Sequence, residues 1–323
     1  MTGYGGFLGK AICKELLAKG YRVRGLARSR YPELERQGVD CIQGSAADEA
    51  ACEIACRGAD AVVHTAALAG VWGHAKPFEL ANVVATDHLI RSCRRNGIGA
   101  FVFTSSPSVT FDGKPQCNIN EQAPYPTRWL CHYPRTKAIA EQHVLEANNS
   151  SFSACALRPH LIWGVGDPHL IPRVIDRCRT GRLRCVGDGK NLIDTVHVDQ
   201  AAVAHRLALE RMLGHDASAS GRAYFITDGA PVECWEWIKT ILKSANLAAP
   251  TKGISFASAY RIGAMLELAY RLAGSPVEPP MTRFVAAQLG VDHYFDISAA
   301  RQLLGYEPIA NRAERIAELS PNG

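Results

Sequence analysis

The chain has 323 residues, 47% of them apolar and 21% charged, which is enough to bury a full core as one large α/β domain with a smaller appended region. Its formal charge of +5 is spread over scattered Lys and Arg with no long basic run and no interleaved aromatics, which argues against a nucleic-acid partner. The eleven cysteines show no Cys-x-x-Cys pair and no metal-type spacing, so no metal is expected and they read as small buried hydrophobes in a reducing cytoplasm. No signal-peptide pattern and no uninterrupted apolar run of bilayer length stands out; the nearest, Phe256 to Leu272, is broken by Arg261, Glu267 and Arg271 and reads as an amphipathic helix.

The first element is a glycine loop. Gly3, Gly6 and Gly9 stand directly before a helical pattern (Ala11, Ile12, Leu16, Leu17) that stops at Gly20. Glycines at that spacing let the backbone turn tightly, let a pyrophosphate approach the N–H groups of a helix N-terminus, and let the helix pack close to a strand. Tyr21 to Ala27 follows as a strand, which supplies the context a dinucleotide-binding unit requires. The first strand of such a unit should precede the loop, yet only Met1 does. The expectation is therefore a native product with about five to ten further apolar residues, a strand of ordinary length.

The end of the second strand bears on cofactor choice. An acidic residue there binds the ribose hydroxyls of NAD and repels a 2′-phosphate. This chain has Ala27-Arg28-Ser29-Arg30 instead, and a guanidinium suits phosphate, so Arg28, with Ser29 or Arg30, points to NADP over NAD. Strands continue at the spacing of βαβ alternation: Val39 to Gly44, then Ala59 to Ala67, whose small terminal residues Ala66 and Ala67 leave room for a cofactor. His64 in that strand reads as a packing or hydrogen-bonding residue. Ala100 to Ser106 is the next strand and ends in hydroxyls, at the edge where an open α/β sheet binds ligands. A helix then carries Tyr133 and Lys137 four positions apart and so on one face, with Pro134 in its first turn and Ala138, Ala140, Val144 and Leu145 as an apolar stripe. An ammonium beside a phenol favours its ionised form and brings its pKa down toward neutrality.

Gly3-x-x-Gly6-x-x-Gly9, the Ser105-Ser106 strand end and Tyr133-x-x-x-Lys137, in that order, resemble the extended short-chain dehydrogenase/reductase superfamily, and within it the 3β-hydroxysteroid dehydrogenase branch. Leu157 to Asp167 is similar to that family's sixth strand and nicotinamide loop, and Asp194 to Asp199 to the point where the chain re-enters the cofactor domain. Arg28 to Leu34, Gly70 to Gly73, Ser105 to Val109 and Pro280 to Phe284 more narrowly resemble the bacterial 2-alkyl-3-oxoalkanoate reductases of olefin synthesis. The resemblance implies an α/β Rossmann-type doubly wound parallel sheet with a smaller C-terminal substrate lobe. It implies Tyr133 as proton donor or acceptor, Lys137 as the residue that binds the nicotinamide ribose and lowers the tyrosine pKa, and Ser106 as the carbonyl-orienting hydroxyl, with Ser105 second because strand register is not fixed by sequence. Gly3, Gly6, Phe7 and Leu8 match the phosphate loop, and Arg28, Ala66, Ala67, Pro159 and Ile162 match cofactor-lining positions. Gly44-Ser45 departs from the Gly-Asp pair that often contacts adenine. A homodimer is a further implication of the family.

The expected division assigns 1–167 and 195–230 to an NADP-binding domain and 168–194 and 231–323 to the substrate lobe. Gly187 to Gly189 reads as a tight turn, and Ala223 to Thr227 as a strand returning to the main sheet. Phe256, Tyr260, Met265, Leu268, Leu272 and Met281 are apolar enough to line a cleft for a long acyl or polycyclic substrate. The favoured function is NADPH-dependent reduction of a 2-alkyl-3-oxoalkanoate. A hydroxysteroid or sterol-carboxylate 3-dehydrogenase is the alternative, and a non-catalytic NADP-binding sensor is third, disfavoured by the intact Ser106, Tyr133 and Lys137.

Overall fold

The computed structural model describes residues 1–309 and 312–319. Six parallel strands form the main sheet: β1 (Arg24–Ala27), β2 (Asp40–Gln43), β3 (Ala61–His64), β4 (Ala100–Thr104), β5 (Ser153–Pro159) and β6 (Arg222–Ile226). β1 pairs with β2, and β3, β4, β5 and β6 pair in succession, all in parallel. Between β1 and β3 lie Met1 and Thr2. Thr2 bridges in parallel to both Leu26 and His64, its N–H donating to the Val63 carbonyl at 3.0 Å, while the Leu26 N–H donates to the Met1 carbonyl at 2.8 Å. These two residues stand where the first strand of the doubly wound order belongs, so the sheet reads β2, β1, Met1–Thr2, β3, β4, β5, β6.

Every position of β4 and β5 is buried, as continuous apolar runs must be when a parallel sheet is covered on both faces. Alternation assigns the faces. Val102, Cys155 and Leu157 pack with Ile12, Leu16, Ala204 and Ala208 of helices α1 (Phe7–Ala18) and α5 (Val198–Leu213). Phe101, Phe103, Ala154 and Ala156 pack with Cys52, Leu89, Cys93, Ala140 and Val144 of α2 (Glu49–Cys56), α3 (Ala85–Arg95) and α4 (His132–Ala147).

A second core gathers Trp163, Val174, Trp235, Trp237, Ile238 and Ile241 among the helices Leu170–Arg179, Cys234–Ser244, Phe256–Leu272 and Arg283–Gly290. Two expectations need correction here. The segment 231–323 does not lie wholly in this lobe. Phe295, Ile297, Ala300, Leu304 and Tyr306 join the core of the main sheet, where Phe295 stacks on Phe225 with ring centroids 4.3 Å apart and the Tyr306 hydroxyl donates to the Thr227 carbonyl at 3.0 Å. The apolar spacing of Ile297, Ala300 and Leu304 is that of one helix face, and it covers the end of β6.

Nor do Met265, Leu268 and Leu272 line a cleft: they are 63%, 61% and 81% exposed. The phase of their helix is set by Ala259, Gly263 and Glu267, which are buried one turn apart. A side chain at Gly263 would come within 2.7 Å of the Thr282 backbone, so only glycine allows this close approach, and the opposite face turns outward. Phe256, Tyr260 and Met281 are half-buried against the lobe core. Among the described residues no helix is long and apolar enough to cross a membrane.

Candidate active site

The residues singled out in the sequence lie at the carboxyl ends of β1, β3, β4 and β5 and at the N-termini of α1 and α4. Ser106 follows β4 and caps a single 3-10 turn, Pro107–Thr110: its Oγ accepts from the Ser108 N–H at 3.2 Å and shares a 2.9 Å hydrogen bond with the Ser108 hydroxyl. Tyr133 sits in the first turn of α4. Burial raises its phenol pKa above the ordinary value, and the neighbouring Ser106 hydroxyl opposes the rise. Ser105 points the other way, buried with its hydroxyl unpartnered.

Lys137 is 1% exposed, donates from Nζ to the Thr104 carbonyl at 2.6 Å, and lies 3.9 Å from the centre of the Phe103 ring. Its own pKa is pushed down to about 7 by burial, with the Glu141 carboxylate one turn along α4 acting in the opposite direction. The lowering of the Tyr133 pKa expected from Lys137 is thus not found. Desolvation of the phenol dominates, and the ammonium's close partner is a strand carbonyl.

Asn82, which sequence reading passed over, holds the first turn of α4 in place. Its Nδ2 donates to Thr136 Oγ1 at 2.9 Å and to the Leu68 carbonyl at 3.1 Å, while its Oδ1 accepts from the Leu68 N–H at 2.7 Å. One buried amide therefore ties the loop after β3 to the helix carrying Tyr133. A lone asparagine in a helical stretch gives no sign of this. His64 is likewise structural: it is buried between Thr2 Oγ1 at 2.6 Å and Thr86 Oγ1 at 3.0 Å, and desolvation holds it neutral.

The glycine loop is shaped as a cradle. Gly3 has φ +65°, and a Cβ on Gly9 would lie 2.1 Å from the Gly3 carbonyl oxygen. Gly6 caps α1 with no side-chain bond, so the first-turn N–H groups, including those of Phe7 and Leu8, are left without helical acceptors. The only neighbour a Cβ on Gly6 would meet is the Gly3 carbonyl, at 3.3 Å, so one side stays open. Positive helix dipole, free donors and an open backbone face fit a pyrophosphate. Ala66 is half-buried with its N–H on Thr2 Oγ1 at 3.2 Å, and Ala67 is exposed. Arg28 is exposed past the end of β1. Arg30 is bound to Glu35 at 2.9 and 3.0 Å and Lys10 to Glu33 at 3.0 Å, so of these three cations Arg28 alone has no carboxylate partner among the described residues. Pro159 ends β5, and Ile162 is half-buried where Ile162–Trp163 pairs in parallel with Val196–His197.

This combination of a glycine cradle, a doubly wound sheet and a Ser-Tyr-Lys grouping belongs to dehydrogenases of the extended short-chain type. Residues 1–257 match the 3-beta hydroxysteroid dehydrogenase/isomerase family, and the chain belongs to that family of oxidoreductases. It is 45% identical to the 2-alkyl-3-oxoalkanoate reductase of Shewanella oneidensis (99% of this chain, 84% of the relative) and 45% identical to that of Stenotrophomonas maltophilia (99% and 97%). The sterol-4-alpha-carboxylate 3-dehydrogenase, decarboxylating, of Mus musculus is 32% identical over 98% of this chain and 88% of its own length. Among solved structures, gox2253 superposes with TM-score 0.78 at 23% identity, covering 98% of this chain and 95% of that one. MoeE5 in complex with UDP-glucose and NAD does so with TM-score 0.75 at 24% identity, with the same coverage.

Proposed function

We propose that this protein reduces a β-keto acid, a 2-alkyl-3-oxoalkanoate, to the 3-hydroxy acid with NADPH. The observation that carries the reading is the Tyr133 phenol beside the Ser106 hydroxyl at the carboxyl end of β4, next to the glycine cradle and the buried Lys137. Gly3, Gly6, Phe7 and Leu8 would hold the pyrophosphate, Arg28 the 2′-phosphate, and Ala66, Ala67, Pro159 and Ile162 would line the remainder, with Lys137 on the nicotinamide ribose. Bound nicotinamide supplies the hydride that the ketone carbon takes up.

Tyr133 gives its proton to the ketone oxygen, which Ser106 holds by its hydroxyl. Burial favours the protonated phenol at neutral pH, the form that reduction consumes. Lys137, whose pKa burial pushes down to about 7, would be favoured in its ammonium form by hydrogen bonds to the hydroxyls of a bound cofactor. The substrate class is supported by the two reductases at 45% identity. The second reading, a sterol-carboxylate 3-dehydrogenase, is favoured by the 32% relative. The substrates named for both kinds of relative carry a carboxylate β to the reacting carbon.

The test compares NADPH with NADH on a long-chain β-keto acid and on a 3-ketosteroid. Turnover of the keto acid with NADPH is expected; steroid turnover with NAD preference would replace it with the second reading. Tyr133→Phe should lower kcat by about 10²–10⁴-fold while cofactor binding stays nearly intact, and wild-type turnover in that variant rejects the assignment.

A further inference from the structure

A cavity of about 230 Å³ opens between the loop after β3 and the C-terminal end of the helix Phe256–Leu272, with Trp72, His74, Cys131, His132, Tyr270 and Arg271 in its wall. Cys131 and His132 immediately precede Tyr133, so the cavity adjoins the first turn of α4. The wall is held in shape across a long stretch of sequence. The Trp72 indole N–H donates to the Ser275 carbonyl at 3.0 Å, its ring meets Tyr270 edge-on at 6.3 Å, and the Arg271 guanidinium lies 5.7 Å from its centre.

The charges around this cavity do not balance. The carboxylates whose fields reach Cys131 and His132 are Glu79, Glu267 and Glu278. Glu79 is paired with Arg135, and Glu278 with Arg173 and Arg177. Glu267 is buried and saturated by Arg283, accepting from its Nε at 2.9 Å and its backbone N–H at 2.7 Å with Nη2 at 2.7 Å; Arg271 reaches it only at 3.9 Å. Arg271 makes no hydrogen bond from its guanidinium among the described residues. The surplus is felt next door: burial first, then Arg135 and Arg271, push the His132 pKa down, so that imidazole is neutral at pH 7.

We propose that Arg271 anchors the carboxylate of the substrate. A guanidinium presents paired N–H donors in one plane, the match for a two-oxygen anion, and here it stands at the rim of a cavity whose remaining wall is largely aromatic and apolar. One cation whose long ion pair, at 3.9 Å, is to a carboxylate already saturated by Arg283, flanked by a neutral histidine, matches a monoanion better than a diphosphate. An amphiphile with a carboxylate head and a hydrocarbon body fits, its reacting carbon directed toward Tyr133. The site deepens the reductase reading and rests on it.

The test uses the alcohol product, because β-keto acids lose carbon dioxide in solution. Wild type, Arg271→Ala and Arg271→Lys are assayed in the oxidative direction on a 2-alkyl-3-hydroxyalkanoate and on its methyl ester. In Arg271→Ala the acid-to-ester ratio of kcat/KM should fall by at least about tenfold, through KM and not kcat, and Arg271→Lys should recover part of it. Competitive inhibition by a plain long-chain alkanoate should weaken by a similar factor in Arg271→Ala. If wild type oxidises the acid and the ratio is unmoved, the Arg271 site is overturned and the reductase reading stands. If wild type oxidises a 3-hydroxysteroid and ignores the acid, both fall.

Discussion

Glu141 and Arg158 form a two-pronged ion pair inside the fold, Nε to Oε2 at 3.0 Å and Nη2 to Oε1 at 2.6 Å, with neither side chain more than 2% exposed. Tyr125 adds a third donor to the same carboxylate at 2.7 Å, and the guanidinium lies 5.1 Å from the centre of the Phe225 ring. Lys137 is one turn back along α4, so the pair links the proposed proton-transfer site to β5 and β6.

Removing one partner leaves the other charge buried and unpaired, which costs more than the pair contributes. Glu141→Gln should therefore lower the unfolding free energy by about 3–5 kcal/mol, read by chemical denaturation. Adding Arg158→Met should return a large part of that loss, since replacing both charges removes the orphan. A double variant no more stable than the single one would show that the cost lies in packing and not in charge.

Lys137 carries the opposite bargain. Its folded pKa of about 7 lies below the ordinary lysine value, so burying its charge destabilises the protein wherever the ammonium is protonated in both states. That cost is fully present below pH 7 and is relieved as pH rises toward the unfolded value. Lys137→Met should raise Tm of the cofactor-free protein, most at pH 6 and least near pH 10, while abolishing turnover. Thermal scans across that range check it, and a Tm difference independent of pH would contradict it.

Much of this was legible because the requirement is local. Gly3, Gly6 and Gly9 are demanded by a turn, an open backbone and a close approach that a few consecutive residues decide, and Tyr133 and Lys137 share a face because a helix puts i and i+4 together. Strand faces followed from continuous apolar runs. Register did not: Ser105 and Ser106 differ by one position, and only the pairing of β4 with β5, with the Ser105 N–H on the Leu157 carbonyl at 2.6 Å, decides which hydroxyl meets Tyr133. Pairings between distant segments left no local mark. Asn82 on Thr136, Glu141 on Arg158, Phe295 on Phe225 and Arg271 over Trp72 each join ordinary residues whose neighbours in sequence say nothing of the partner.

Ser106 is the one group found to hold the Tyr133 pKa down against burial. On the proposed reading the phenolate is the base in the oxidative direction, so the rate should rise with pH through that pKa. Ser106→Ala should shift the rising limb of log kcat/KM to higher pH as well as lowering its plateau. A lowered plateau with an unmoved limb would mean that Ser106 orients the substrate without touching the phenol, and Ser105→Ala, with its hydroxyl facing away, should leave the limb in place.

Arg28 and Arg30 both follow β1, yet only Arg28 is uncommitted, because Glu35 takes both prongs of Arg30. A guanidinium–phosphate contact to a charged group is worth about 1.5–3 kcal/mol, or roughly 10–150-fold in Kd. Arg28→Ala should weaken NADPH binding by that factor and change NADH binding by less than about twofold, both measured by titration calorimetry or fluorescence. Arg30→Ala should weaken NADPH binding less, since its side chain must first leave Glu35. Equal losses for the two cofactors in Arg28→Ala would remove the 2′-phosphate from the site and leave the acidic-residue-free end of β1 compatible with NAD.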